Sequence, residues 1–364
     1  MNILIISNLF GNNRQGYDLA GVLRERGHRV RLVQFTNDHD VKTGNLGVKF
    51  TKPHGAFSKF HVLLNLFRIF RASLFCKKDV VVCIGAPILL VGAFYKIFLG
   101  AKLVYYSLEY AKYGCVYAKI VKHLVDRYID VEENRCKKVY EDLKLSVPSM
   151  VVYNLPGLAE HTPESGKLRQ YLKEHGGATG GERILIYAGS YQWYAQIENL
   201  VRASERFSDD VLLVLMVSWG LPEDLRKSVS LKHCKIVPPQ SGMEFFDWLS
   251  DADCALLPYE DEREFNVRNC SPQKLFDCYL VGIPFIGSDR PIIRRVLAEF
   301  SGAGILCDFT NLDSICAAVP KALKLKNAEC SRRMKDLCRE KYNYGCYADQ
   351  VTRFICDEKG GGAK

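Results

Sequence analysis

The 364-residue sequence predicts an α/β protein of two Rossmann-like, doubly wound parallel-sheet domains, expected to face a central cleft. Three observations carry that expectation. Apolar, β-branched runs alternate with helix-like segments; a polar, glycine-rich interruption falls near the middle of the chain; and the alternation then begins again. With 48% hydrophobic and 25% charged residues, the chain has ordinary globular composition and enough length for two separate cores.

In the first half the runs are residues 3–7, 30–35, 80–84, 103–106 and 151–153. Such runs, separated by amphipathic or apolar segments, are the mark of parallel strands covered on both faces. After Asn154-Leu155-Pro156-Gly157 a polar stretch ends in Gly176-Gly177-Ala178-Thr179-Gly180-Gly181, too rich in turn residues to continue a core. The predicted organisation is an N-terminal, acceptor-side domain over 1–155, a linker over 156–182 and a second domain over 183–326. Runs 184–189, 211–217, 235–237, 254–258 and 284–287 build that second sheet. Helices over 327–359 are expected to pack back on the first domain. Open sheets of this kind take ligands outside the carboxyl ends of their strands.

The 14 cysteines are scattered, with no Cys-x-x-Cys pair and no Cys/His cluster at zinc spacing. Cys83, Cys254 and Cys307 sit inside apolar runs, where cysteine behaves as a small hydrophobe, so free thiols in a reducing compartment are expected. No stretch reaches the roughly 18 apolar residues of a spanning helix, and the N-terminus leads into a strand-like run without a basic leader. The expectation is a cytoplasmic protein, soluble or peripheral on the inner face of the membrane. Charge is uneven: residues 1–150 hold 23 Lys and Arg against 12 Asp and Glu, whereas 151–300 hold 16 against 21. The basic half suits a phosphorylated substrate or an anionic membrane surface. Nucleic acid is not expected, because no helix-turn-helix, zinc-finger or aromatic RNA-binding signature accompanies the charge.

The most informative segment is Asn269-Cys270-Ser271-Pro272-Gln273-Lys274-Leu275-Phe276-Asp277, followed by Gly282-Ile283-Pro284. Ser271 reads as an N-cap with Pro272 at the first helical position, so a helix starts here with its amides pointing outward as an anion site. Lys274 adds a positive charge beside those amides, as a diphosphate requires. Asp277, one turn on, lies on the same face within reach of a ribose diol. A capped, solvated helix is the plain alternative.

These residues resemble the donor motif of the GT-B glycosyltransferases of family 4, also called group 1, which includes many enzymes of bacterial polysaccharide and glycolipid biosynthesis. That motif pairs two acids eight residues apart before a Gly-x-Pro turn. The resemblance extends over nearly the whole chain, through Ala252-Asp253-Cys254-Ala255-Leu256-Leu257-Pro258-Tyr259 and Asn154-Leu155-Pro156. It implies a hexosyltransferase moving a sugar from a nucleotide-sugar donor, a UDP-sugar foremost, to a glycan or polyprenyl/lipid-linked acceptor, with no cofactor and no metal. Under it Asp277 holds the ribose, Lys274 and Arg268 the diphosphate, and Asn269 the sugar hydroxyls, with Ser271 at the helix start. Gly189 and Ser190 supply backbone groups, because Gly189-Ser190-Tyr191-Gln192-Trp193-Tyr194 lacks the family's basic pair; Pro238, in Val237-Pro238-Pro239, lines the base pocket. Both acidic positions are altered, to Asn269 and Asp277, which leaves the sugar and the stereochemistry open. Trp193 and Tyr194 read equally as packing residues or a sugar platform.

In the first half, Gly11, Asn12 and Asn13 follow the first strand and form a loop suited to acceptor or donor phosphate. Gly11 and Gly16 lack Gly-x-Gly-x-x-Gly spacing, which disfavours a dinucleotide-binding dehydrogenase. Glu109, after another strand, is the candidate base or anchor for an acceptor hydroxyl. Asp130-Val131-Glu132-Glu133-Asn134-Arg135 resembles a further family element, although acids at a helix start are favoured by its dipole in any case. Asp251-Ala252-Asp253 imitates a metal motif but leads into a strand far in sequence from the proposed phosphates. Residues 57–75 place Phe60, Leu63, Leu64, Phe67, Phe70 and Leu74 at helical spacing among the basic residues Lys59, His61, Arg68 and Arg71, followed by Lys77 and Lys78, either an interfacial helix or the ordinary buried face of a doubly wound domain. The rivals to sugar transfer are a nucleotide-sugar epimerase of the same architecture and a catalytically silent sugar-nucleotide-binding scaffold.

Overall fold

The computed structural model describes residues 1–7, 14–36, 46–49, 59–110, 114–157, 163–175, 180–217, 222–228, 231–261 and 263–356. The chain forms two compact units, Met1–Gly157 with Tyr344–Lys364, and Leu158–Asn343.

In the first unit the order is β1 (Asn2–Ser7), α1 (Arg14–Glu25), β2 (Arg29–Thr36), β3 (Leu46–Lys49), α2 (Lys59–Ser73), β4 (Val80–Ile84), α3 (Leu89–Leu99), β5 (Lys102–Ser107), α4 (Gly114–Val121), β6 (Arg127–Asp130), α5 (Glu133–Leu143) and β7 (Ser149–Val151). The strands make a parallel sheet in the order β3-β2-β1-β4-β5-β6-β7. Alternate residues go to opposite faces. Leu4, Ile6, Val81, Cys83, Leu103 and Tyr105 share a core with α2, α3, α4 and α5.

The second unit runs α6 (Lys167–His175), β8 (Arg183–Gly189), α7 (Ile197–Ser204), β9 (Val211–Val217), α8 (Glu223–Ser228), β10 (Cys234–Val237), α9 (Gly242–Ser250), β11 (Cys254–Leu257), α10 (Phe265–Arg268), α11 (Gln273–Val281), β12 (Phe285–Gly287), α12 (Pro291–Glu299), β13 (Gly304–Leu306), α13 (Leu312–Leu323) and α14 (Ala328–Glu340). Its six parallel strands lie in the order β10-β9-β8-β11-β12-β13. Leu185, Leu213, Leu215 and Leu256 meet Leu200, Val201, Ile315 and Val319 in one core. A last helix, α15 (Ala348–Cys356), belongs to the first unit and packs on α1.

Three strands lie outside the ten expected runs: β3, β6 and β13. Each is short: β6 carries a charge at both ends, β3 carries Gly47 and Lys49, and β13 is only Gly304-Ile305-Leu306, so none offers an apolar run of strand length. The run at 151–153 forms its strand earlier, as β7.

Two stretches differ from the expected domain plan. The 156–182 segment carries α6, which buries Leu168 and Leu172 and packs on α9. Asp251 receives the amides of Gly166 at 2.5 Å and Leu168 at 2.8 Å, and Asp247 receives Lys167 Nζ at 2.7 Å. The 327–359 helices divide. Cys330, Met334, Leu337 and Cys338 form one buried stripe of α14, which packs on α11 in the second unit, while the chain from Tyr344 onward joins the first.

The Gly282-Ile283-Pro284 turn has a clear local cause. Gly282 ends α11 at φ +73°, and its amide and that of Ile283 both reach Cys278 O, at 2.9 and 3.1 Å. A Cβ there would stand 2.7 Å from Ser331 O and 2.9 Å from Lys335 Cε on α14. Gly282→Ala is therefore expected to cost at least about 1 kcal/mol in a urea titration, the left-handed penalty alone, with the α14 clash added. An unchanged midpoint contradicts this.

Candidate functional site

In the second sheet the strand order reverses between β8 and β11, which are hydrogen-bonded neighbours. The loops leaving these two strands diverge, so a crevice opens at their carboxyl ends. Gly189 and Ser190 leave β8 there; Tyr259 follows β11, and the chain returns through α10 to the start of α11.

The start of α11 differs by one residue from the sequence expectation. Pro272, at φ −67° and ψ 123°, is the N-cap, and Ser271 is buried before it. Proline's fixed φ suits an extended capping residue as well as a first helical one. Leu275 N donates to Pro272 O at 3.1 Å. Lys274 thus occupies the first turn, where the helix dipole opposes a cation.

Its ammonium is held in place all the same. Lys274 Nζ lies 4.7 Å from the Tyr187 ring centroid and 5.9 Å from that of Tyr259, with its tip against Gly189. Aromatic faces attract a cation. Tyr187 Oη donates to Ser190 O at 2.8 Å, tying the ring to the loop, and Tyr194 stacks on Tyr259 with centroids 5.8 Å apart. Burial pushes the Lys274 pKa down to about 8, and Asp277, buried one turn along, opposes that shift. An anion at this helix start would be met by both the amides and the ammonium.

Other sequence candidates sit differently. Asn269 ends α10, with Nδ2 donating to Phe265 O at 3.1 Å, and is buried. Arg268 lines a cavity of about 860 Å³ with Glu260, Arg290, Asp308, Thr310 and Ser314. Pro238 is exposed after β10, which β9 separates from β8. Gly11, Asn12 and Asn13 lie outside the described residues, as does the side chain of Trp193. Tyr194 has a packing partner in Tyr259.

Sequence reasoning missed Tyr187, Tyr259 and Arg290. Arg290 is buried, donates from Nε to Tyr259 O at 2.5 Å and pairs with Glu260 at 2.9 Å, while Phe309 N donates to the same carboxylate at 3.2 Å. It braces the loop carrying Tyr259. The available signal was position: Tyr187 lies two residues before Gly189 on β8, hence on its face. The Asp251 and Asp253 carboxylates serve α6 and β8, Asp253 receiving Ile184 N at 2.8 Å and Arg169 Nη2 at 3.0 Å. Among the described residues no cluster of three His, Cys, Asp or Glu is arranged to hold a metal ion.

In the first unit, Glu109 is exposed just after β5. Beside it lies a buried ionic network. Arg135 pairs with Asp130 at 3.3 Å and donates to Leu108 O at 2.7 Å and Ser107 O at 3.5 Å. Asp130 also receives the Tyr128 hydroxyl and the amides of Val131 at 2.7 Å and Glu132 at 3.2 Å. Burial raises the Asp130 pKa, and Arg135 opposes the rise. Glu132 caps α5 by receiving Arg135 N at 2.9 Å. The Asp130–Arg135 element is therefore a brace for the backbone that carries Glu109.

No protein-family model and no curated protein sequence matches this chain. Solved structures do. Sucrose-phosphate synthase (tll1590) from Thermosynechococcus elongatus superposes with a TM-score of 0.73 at 12% identity, over 97% of each chain. Anabaena Alr3699/HepE, in complex with UDP and glucose, gives 0.68 at 13% identity over 98% of each chain. The chain has the GT-B fold. WaaG, a glycosyltransferase involved in lipopolysaccharide biosynthesis, gives 0.68 at 12% identity, over 99% of this chain and 100% of its own. Within GT-B, the Lys274 pocket belongs to the second Rossmann-like unit, at that sheet's switch point.

Proposed function

We propose that this chain is a metal-independent glycosyltransferase of the hexosyltransferase class. It takes a sugar from a nucleotide-sugar donor, a UDP-sugar foremost, and passes it to a glycan or polyprenyl/lipid-linked acceptor in polysaccharide or glycolipid assembly. Its place is the cytoplasm, at the inner face of the membrane. The family 4 resemblance of residues 269–284 supports the reading, as do the UDP and UDP-glucose complexes of HepE among the similar folds.

The observation that carries it is Lys274, a half-buried cation against Tyr187 and Gly189 at a helix start and a switch point, where the fold supplies amides for a diphosphate. The developing charge on the departing nucleoside diphosphate is met by those amides and the ammonium. Asp277 takes the ribose, Asn269 the sugar hydroxyls, and Gly189, Ser190, Ser271, Arg268 and Pro238 complete the donor side. Glu109 serves an acceptor hydroxyl.

Thermal shift against UDP-, GDP-, ADP-, CMP- and dTDP-sugars in EDTA tests the reading, because a ligand that binds only the native state raises its stability. A shift confined to one nucleotide class supports it; no shift with any sugar nucleotide refutes it. Donor conversion without acceptor would assign an epimerase. Binding without turnover under any acceptor would assign a scaffold.

Gly189 gives a sharper check. A Cβ there would run into the Lys274 ammonium and stand 3.0 Å from Lys274 Cε and 3.1 Å from Tyr187 Oη. Gly189→Ala is expected to weaken donor binding roughly tenfold by displacing that cation, about the value of one charge-assisted hydrogen bond, with little loss of melting temperature. Unchanged donor affinity would show that the cation's position does not matter.

A further inference from the structure

We infer that one face of the first unit, made by α2, α3 and α4, docks on an anionic lipid bilayer. The inference does not depend on sugar transfer. Nine of the thirteen large apolar side chains exposed among the described residues lie here, so the exposure is concentrated rather than scattered.

α2 has two apolar stripes. Leu66, Ile69 and Phe70 turn to the sheet, where they join the core. Leu63 and Phe67, one turn apart, stand out in solvent, and Phe67 is 60% exposed. Just past the helix, Leu74 and Phe75 continue the exposed set, Phe75 at 93%. A doubly wound helix needs only the first stripe.

The first stripe joins α2 to α3. Phe70 meets Phe94 edge-on at 4.8 Å, and Phe94 meets Phe98 at 4.5 Å, so an aromatic ladder leads from α2 to the end of α3. There Ile97, Phe98 and Leu99 are all exposed. α4 packs on α3 and adds Val116 and Ile120, again one turn apart.

Charge identifies the occupant. α2, α3 and α4 contain no Asp or Glu. Arg71 is exposed on α2, Lys77 just beyond it and Lys119 on α4. Lys78, counted among the basic residues of this segment, is not available: it is buried, donates to Ser73 O at 2.9 Å and Leu74 O at 3.1 Å, and closes the end of α2. Lys96 is likewise taken up by Asp126, at 2.6 Å. Exposed aromatic and aliphatic side chains among cations, with no acid on the three helices, fit a surface that is apolar beneath an anionic layer. No described helix is long and apolar enough to cross a membrane, so the binding is at the interface.

The test is flotation of the full chain with vesicles of phosphatidylcholine alone and of phosphatidylcholine mixed with phosphatidylglycerol, at low and high salt. Flotation with the anionic vesicles only, reduced by salt, is expected. Phe67→Ser/Phe75→Ser should abolish it, and Arg71→Glu/Lys77→Glu should lower the bound fraction roughly fivefold or more per cation. Melting temperature and nucleotide-sugar binding should be unchanged in both variants, which separates failure here from failure of the donor reading. The inference is overturned if the wild type does not float, if the variants float as it does, or if the apolar variant instead converts a dimer to a monomer, which would make a second copy the occupant.

Discussion

Lys274→Ala is expected to lower affinity for the nucleotide-sugar donor roughly 10- to 100-fold, the range of a charge-assisted hydrogen bond, while the fold survives. The pH dependence is more diagnostic than the loss itself. The pKa of Lys274 in the folded protein, about 8, lies below that of an unfolded lysine. Below about 8 both states hold the proton, and the folded state bears the whole cost of burying the cation. As pH rises from there toward the ordinary lysine range, the unfolded chain holds a proton the native state has released, so the unliganded protein gains stability. Donor binding runs the other way, because a diphosphate selects the protonated amine, and affinity should fall as pH rises through about 8. Calorimetric titrations and melts across this range should show both trends in the wild type and neither in Lys274→Ala. A variant that keeps the wild-type pH profile would remove Lys274 from the site.

The second large effect lies in the first unit. Arg135→Met is expected to destabilise it by about 3–5 kcal/mol, the usual cost of leaving a buried charge without its partner. Asp130 would keep the Tyr128 hydroxyl and two amides but lose the guanidinium, and the carbonyls of Ser107 and Leu108 would lose their donor. Burial already holds the Asp130 pKa up, and removing Arg135 removes the charge that opposes it. A carboxyl with a raised folded pKa favours folding at low pH and loses that contribution as pH rises through its folded value, so the variant's deficit should grow with pH. Asp130→Asn/Arg135→Met should recover much of the loss. Urea titrations of the three proteins at two pH values measure this directly. An Arg135→Met cost below about 1 kcal/mol would mean that the pair is no brace.

Much of this was legible before any coordinates. Long apolar strands announce themselves because a parallel sheet covered on both faces needs continuous β-branched runs, and β1, β4, β8 and β9 have them. β6 and β13 did not, since runs of four and three residues are too short to show a periodicity, and β6 has charged ends as well. The helical turn that holds Lys274 and Asp277 was legible, one residue out at its cap, because helical spacing is local. The aromatic walls were not: Tyr187 and Tyr259 are far apart in sequence and meet only because β8 and β11 pair. The apolar residues of α2 were read as one set, interfacial or buried, whereas the structure divides them: Phe70 packs against the core and Leu63 and Phe67 are exposed. The partners of Asp251 and Asp253 on α6 were hidden, because they come from a segment whose polarity concealed a helix.

The most direct test of the donor site compares UDP, UMP and uridine by calorimetry in EDTA, on wild type and on Lys274→Ala. If α11 and Lys274 hold a diphosphate, UDP binds the wild type roughly tenfold or more tighter than UMP, uridine binds weakest, and the variant loses most of the UDP advantage. Equal affinities for the three ligands, or a UDP advantage that Lys274→Ala leaves intact, would contradict the account.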